Sequence, residues 1–328
     1  MAASPTPLEI ISKPVHDELQ TYRELFDSTL THPEALLSET LAYIKQRQGK
    51  MMRPMLVLLM AREAGGVNQK ALLAAVALEM LHTASLVHDD VVDESALRRG
   101  MASVNQQYGN KVAVLLGDYL LSLLLCKAAE TGDSRIVERI ARLGGTLSEG
   151  EIFQLSTARE QMADEEAYFR IIRRKTAALF AACGEIGALA AGGDDALAQQ
   201  ARIYGECVGV CFQIRDDIFD FYADKNIGKP TGNDLLEGKF TLPAIYALRT
   251  APSPTLLPLI ERVKRCEATP DDVQTLVEYT KAHGGIDYAL GVMDEYRLKA
   301  HAALAGFRDA AVRDALTAYA DYVAAREF

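Results

Sequence analysis

The chain has no tryptophan and only 7% aromatic residues, while its hydrophobic content of 49% is rich in alanine and leucine. That composition leans towards helices rather than sheets. Cysteine is scarce and unpatterned: Cys126, Cys183, Cys207, Cys211 and Cys266 are odd in number and include no C-x-x-C pair. Such a set reads as reduced, buried thiols in a cytoplasmic protein. Positive charge is in deficit, with a net charge of −10. A general basic face for nucleic acid is thereby excluded, and any phosphate recognition must be local. The most membrane-like stretch, 112–125, is too short to span a bilayer and is broken by Asp118. The opening MAASPTPLEIISKPV lacks the basic region and apolar run of a signal peptide. Gly144-Gly145 and Gly192-Gly193 lack the G-x-x-x-x-G-K-[ST] frame, so nucleotide hydrolysis by that route is not expected. No Ser-His-Asp or Cys-His nucleophile pattern is present.

Helical periodicity runs through the 328 residues. It predicts a helix over 8–30 and a short one ending near 47. Asn68 reads as the N-cap of a long helix reaching about Glu94. Further helices are predicted at about 110–131, 134–157, 164–192, 195–224, 237–249, 255–266, 270–283, 286–305 and 308–326. No segment alternates like a strand and no low-complexity linker divides the chain. The expectation is a single all-α domain, a helical bundle over 1–328. The longest irregular stretch is 225–234, read as a loop that could cover a bound ligand.

Two acidic sets of one form stand out: Asp89, Asp90 and Asp93, then Asp216, Asp217 and Asp220, each D-D-x-x-D inside apolar, helix-forming sequence. Aspartate is a poor helix former and costly to bury, so six carboxylates call for a compensating cation. The first and last aspartate of each set are four apart and share a helix face. Two such faces opposed across a bundle would make an oxygen-rich site suited to Mg²⁺ and substrate phosphates. The plainer reading, a solvated face at a helix end, suits one such set better than two.

Basic residues accompany the acids. Lys50 and Arg53 flank a helix start, where anions are favoured. Arg98 and Arg99 lie just beyond the first set, and arginine offers fork-like contacts to phosphate. Lys175-Thr176 and Lys239 follow the same pattern, with Lys229 in the loop. Acids for metal and bases for anions are the inventory of a site for diphosphate substrates. His82 lies seven residues before Asp89, about two turns up the same face. It reads as a ligand contact, and His88 as structural.

These residues resemble the trans-isoprenyl diphosphate synthase (polyprenyl synthetase) family, all-helical prenyltransferases. The motifs are G-K-x-x-R-P at 49–54, H-T-A-S-L-V-H-D-D-V-V-D at 82–93, R-R-G at 98–100, G-D at 117–118, K-T at 175–176, F-Q-I-R-D-D-I-F-D at 212–220 and G-K-x-T-L-P at 238–243. They occur in the family's order over nearly the whole chain. The resemblance implies the isoprenoid synthase fold with a central active-site cavity. It implies extension of an allylic diphosphate by isopentenyl diphosphate, three Mg²⁺ ions per site with substrate bound, and a homodimer. It carries Asp89, Asp93 and Asp216 over as main Mg²⁺ ligands, with Asp90, Asp217 and Asp220 ligating directly or through water. Lys50, Arg53, His82 and Arg99 would hold isopentenyl diphosphate. Arg98, Lys175, Thr176, Gln213, Lys229 and Lys239 would hold the allylic diphosphate. Family members often end in basic residues near the active site, whereas this chain ends Arg326-Glu327-Phe328. That ending leaves open whether the tail closes the site.

Chain length should be set upstream of Asp89, at Ser85, Ala84 and Leu81, with Met80 and Ala77 beyond. Short-chain members of the family commonly carry an aromatic plug at 84 and 85, and here both residues are small. The expected product is medium to long, around eight isoprene units, serving a quinone side chain and released by transient membrane contact. A geranylgeranyl or farnesyl diphosphate synthase plugged from another helix is the alternative. A class I terpene cyclase would replace the second acidic set with an N-S-E pattern, and a non-catalytic helical subunit would lack both sets.

Overall fold

The computed structural model describes residues 5–46, 49–160, 164–222 and 231–326, so Lys229 and most of the expected loop lie outside the described residues, as do Glu327 and Phe328. Along the chain the helices are α1 (Pro7–Ser12), α2 (His16–Thr29), α3 (Ala35–Lys45), α4 (Met52–Glu63), α5 (Gln69–Val92), α6 (Val104–Tyr108), α7 (Asn110–Glu130), α8 (Ser134–Glu160), α9 (Glu165–Ile172), α10 (Ala178–Ala190), α11 (Asp195–Phe219), α12 (Asn233–Leu236), α13 (Leu242–Thr250), α14 (Leu257–Lys264), α15 (Pro270–Ala282), α16 (Gly285–Ala303) and α17 (Ala310–Ala325). The all-α class is thus what the sequence predicts.

Local chemistry explains where the helices differ from expectation. The predicted helix over 8–30 is interrupted by a 3₁₀ turn at Lys13–Val15, because Pro14 removes a backbone donor. Asn68 does cap α5, its Oδ1 accepting from the Ala71 amide at 3.0 Å. The stretch 164–192 is not one α-helix: a π-helical turn, Arg173–Ala177, separates α9 from α10. Such turns are frequent at functional sites, and this one carries Lys175 and Thr176. Helix α11 stops at Phe219. Among the described residues the sole strand pairing is a hairpin, β1 (Leu97–Arg98) against β2 (Met101–Ala102). It went unpredicted because two-residue strands carry no periodic signal. Its turn residues Arg99 and Gly100 have φ of 53° and 76°, the positive pair that a type I′ turn requires.

The chain divides into two compact units. The first comprises Met1–Gly144, Leu179–Gly205 and Ala303–Tyr319. Its core is α5, which packs against α2, α4 and α7. Ala74 through Leu78 are fully buried on every face of α5, which accounts for the apolar run in that stretch. Gly184 and Gly205 let backbones meet: a Cβ on either would stand 2.2 Å from the Ala201 or Phe180 carbonyl oxygen. Tyr319 Oη donates to the Met52 carbonyl at 2.9 Å, securing α17 against α4 within this unit. By length and composition alone α5 and α7 could each cross a membrane, whereas the sequence pointed only to a shorter stretch. Helix α5 is mostly buried in the fold; α7 leaves Val114, Leu115 and Leu125 exposed.

The second unit comprises Gly145–Ala178, Glu206–Ala302 and Ala320–Phe328. Helix α13 packs on α9 and α15. The start of α15 is fixed by a Thr269 capping box and by Arg262, whose Nε reaches Asp272 Oδ2 at 2.7 Å. Those hydrogen bonds hold the Asp272 carboxyl well below the usual carboxylate range.

Candidate active site

Each acidic set falls at the C-terminal end of its helix: α5 ends at Val92 and α11 at Phe219. The last carbonyls and the negative end of the macrodipole favour a cation there. Within each set the three aspartates have different surroundings. Asp90 is only 2% exposed. Its Oδ1 accepts from Arg98 Nε at 2.8 Å and also from Arg98 Nη2. Asp89 is half-buried and Asp93 exposed.

In the second unit Asp216 accepts from Arg326 Nη2. The Arg326 guanidinium also lies 4.0 Å from the Phe212 ring centroid. Arg326 therefore reaches the second acidic set within this unit. Asp220 serves as a backbone cap, its two oxygens accepting from the Asn233 and Asp234 amides at 3.0 and 3.1 Å. Asp217 is 3% exposed and accepts on both oxygens, from Tyr168 Oη at 2.5 Å and Gln213 Nε2 at 2.8 Å. Burial pushes its carboxyl up to about 7, and the charges of Asp216 and Asp220 push the same way. Burial likewise raises Asp234 well above the ordinary carboxylate value, with Asp220 and Asp217 adding to it.

A cavity of about 50 Å³ in the first unit is lined by Glu79, His82, Asp90, Arg98 and Arg99 among apolar residues. Burial drives His82 well below its ordinary pKa, and Arg53, Arg99 and Arg98 add to the effect. His82 is therefore a neutral imidazole that can both donate and accept. Glu79, one turn further up α5, has its carboxyl raised by burial while Arg53 and Arg99 oppose the shift. The Arg53 guanidinium stands 4.8 Å from the Phe180 ring centroid. Lys50 is exposed and lines a separate groove with Arg23 and Met51. His88 faces α7 instead, with Nε2 3.2 Å from the Val114 carbonyl oxygen.

A larger cavity of about 180 Å³ lies within the second unit. Lys175, Thr176, Gln213, Asp217, Asp234 and Lys239 all line it. Thr176 Oγ1 donates to Gln213 Oε1 at 2.7 Å. Lys175 Nζ is 2.6 Å from Glu151, and Lys239 Nζ 2.7 Å from Glu237. Of the residues the sequence assigned to the allylic diphosphate, Lys175, Thr176, Gln213 and Lys239 line this cavity, Arg98 lines the cavity of the first unit and Lys229 lies outside the described residues. Tyr168, Glu151, Asp234 and Glu79 went unpredicted. Tyr168 is seven residues before Lys175 and Glu79 three before His82, both helical spacings that place them on the same faces.

Each unit offers donors that suit a hard divalent cation. In the first, Asp89 and Asp93 present carboxylate oxygens at the C-terminal end of α5, and in the second Asp216 does so at the end of α11; Mg²⁺ commonly takes one or two carboxylates and completes its shell with water and substrate phosphates. Among the described residues no group of three acidic, histidine or cysteine side chains converges on a common point.

The model of the polyprenyl synthetase family matches residues 34–280. This chain belongs to the polyprenyl synthetase family. It is 34% identical over 297 residues to an octaprenyl diphosphate synthase from Haemophilus influenzae, covering 89% of each chain. Among solved structures, it resembles a geranylgeranyl pyrophosphate synthase from Bacteroides thetaiotaomicron at TM-score 0.86 and 45% identity, covering 98% of this chain and 99% of that one. It also resembles a Caulobacter crescentus polyprenyl synthase complexed with calcium and isoprenyl diphosphate, at TM-score 0.92 and 33% identity over 99% of both chains. The fold is that of this polyprenyl synthetase family, and the chain is a prenyltransferase. The family uses a divalent metal.

Proposed function

We propose that this enzyme adds isopentenyl diphosphate to farnesyl diphosphate and builds an all-trans product near octaprenyl diphosphate. The observation that carries the length is Ala84, fully buried on α5 five residues above Asp89, with Ser85 beside it and no aromatic at either position. Leu81, Met80 and Ala77 continue the buried path up the same helix. Helix α5 is about 36 Å long at its rise per residue, long enough to accompany such a tail.

Bound Mg²⁺ supplies charge stabilisation to the departing diphosphate. Asp89, Asp93 and Asp216 would be its main ligands, with Asp90, Asp217 and Asp220 ligating directly or through water. Three ions per site is the expectation carried from the family. Lys50, Arg53, His82 and Arg99 orient isopentenyl diphosphate. Arg98, Lys175, Thr176, Gln213, Lys229 and Lys239 hold the allylic diphosphate and stabilise the charge that develops as its C–O bond breaks. No protein nucleophile is needed, because the carbocation is attacked by the isopentenyl double bond and the released diphosphate accepts the lost proton.

We read residues 1–328 as one domain, supported by a family match that draws on both units. The apolar face of α7 supports a homodimer. Cys183, Cys207 and Cys211 are buried free thiols and support a cytoplasmic setting, whereas Cys126 and Cys266 are exposed, against the expectation that all five are buried. A second reading, a geranylgeranyl product, is favoured by the 45% identity to the Bacteroides enzyme. Incubation with Mg²⁺, farnesyl diphosphate and excess isopentenyl diphosphate, with products sized by mass spectrometry, separates the two. Products near forty carbons support the long-chain reading; products stopping at twenty carbons support the second. No extension from farnesyl, geranyl or dimethylallyl starters would overturn both.

A further inference from the structure

Tyr168 lies on α9, two turns before Lys175, and is 4% exposed. Its hydroxyl donates to Asp217 Oδ2 at 2.5 Å, while Gln213 Nε2 donates to Oδ1 of the same carboxylate at 2.8 Å. Gln213 Oε1 in turn accepts from Thr176 Oγ1 at 2.7 Å. In this chain Asp217 accepts from both partners, and the Gln213 amide turns its nitrogen to Asp217 and its oxygen to Thr176. The Thr176 hydroxyl proton is then committed to Gln213, and its oxygen offers the cavity lone pairs only. The second N–H of Gln213 is the neutral donor left for an anion. With both Asp217 oxygens engaged and the side chain buried, this carboxylate is anchored inside the second unit rather than extended towards a metal.

We propose that Tyr168 is a positioning residue for the diphosphate site: by holding Asp217 it fixes the Gln213 amide, and so selects the donor presented to the allylic diphosphate. This rests on the functional reading above. Without the Tyr168 hydroxyl, one oxygen of a buried carboxylate loses its partner, and the carboxylate must turn to recover one. Gln213 turns with it. The ring itself packs edge-on against Phe169 at 5.3 Å between centroids, and phenylalanine at 168 keeps that contact.

The test is binding of inorganic pyrophosphate with Mg²⁺, and separately of isopentenyl diphosphate, measured by titration calorimetry on the full chain. Wild type, Tyr168→Phe, Gln213→Ala and the double variant complete a cycle. Tyr168→Phe is expected to weaken pyrophosphate about tenfold, in the range seen when partners behind a ligand are removed, and to leave isopentenyl diphosphate within about twofold. In the Gln213→Ala background Tyr168→Phe should cost nothing further, since it acts through that amide. Additive losses, or unchanged pyrophosphate affinity with only a lower melting temperature, would reduce Tyr168 to a packing residue. Tighter Mg²⁺ binding by Tyr168→Phe would instead make Asp217 a direct metal ligand and overturn the proposal. Failure of the wild type to bind pyrophosphate with Mg²⁺ would overturn both this proposal and the functional reading beneath it; binding by the wild type with either contrary result above would overturn this proposal alone.

Discussion

The guanidinium of Arg99 lies against the bare Cα of Gly49: a Cβ at position 49 would stand 3.0 Å from Arg99 Nη2. The contact joins the G-K-x-x-R-P and R-R-G motifs, fifty residues apart in sequence. The I′ hairpin turn makes it, because Arg99 is held at φ 53°. Glycine at 49 is therefore a matter of room for a cation rather than of backbone freedom.

Gly49→Ala should displace that guanidinium by a few tenths of an ångström. Stability should change by less than about 1 kcal/mol, since the clash is with the end of a flexible side chain and alanine restricts the unfolded chain. The KM for isopentenyl diphosphate should rise roughly fivefold, about 1 kcal/mol of lost binding. Steady-state kinetics with a fixed allylic substrate reads this directly, and an unchanged KM would remove Arg99 from the isopentenyl site.

Arg98→Ala leaves Asp90 without the partner that compensates its burial. Breaking one side of a buried pair costs about 3 kcal/mol or more, but Arg98 is 32% exposed, so solvent screens part of this and about 2 kcal/mol is expected. Urea denaturation measures it. Adding Asp90→Asn should recover part of the loss if the buried charge is the cause. Equal stability of the two variants would show that the loss comes from the hairpin instead.

The neutral His82 links stability to pH. Its folded pKa lies well below the unfolded value near 6.5, so below that pH the unfolded chain binds a proton that the native protein refuses. Stability contributed by His82 is present above about pH 6.5 and is lost as pH falls, by up to about 1.4 kcal/mol per unit. Glu79, whose carboxyl is raised by burial, works in the opposite direction at lower pH, so the comparison must be between proteins. His82→Gln should flatten the ligand-free stability profile between about pH 6.5 and 5 relative to wild type. Parallel profiles would mean that the imidazole takes up its proton within the fold.

How much of this could be read beforehand depended on the kind of signal. The long helices showed themselves through period and caps: Asn68 announced α5 because a short polar side chain before an apolar run has one common use. The acidic sets were visible because aspartate is out of place in such sequence. What each aspartate does was not visible. Asp90, Asp217 and Asp220 look alike in the motif, yet one pairs with Arg98, one anchors Tyr168 and Gln213, and one caps α12. Those assignments depend on partners from 4 to 49 residues away. The hairpin at 97–102 and the π-helical turn at Arg173–Ala177 were also hidden, since neither is long enough to set a period.

The length of the product turns on Ala84. It is fully buried, Leu81 one turn above is 5% exposed, and α5 packs against α7. An aromatic ring at 84 must point into whatever space a growing tail uses, or force the helices apart. Overpacking costs about 1–3 kcal/mol, so Ala84→Tyr should fold with a lowered melting temperature. If the tail passes this position, its product distribution should shift to shorter chains while the rate of the first addition stays within a few-fold. Ala84→Leu should give an intermediate shift, which separates a graded steric stop from general damage to the site. Mass spectrometry of the products reads both. A tyrosine variant with the wild-type distribution would place the tail elsewhere and move the length determinant off this face of α5.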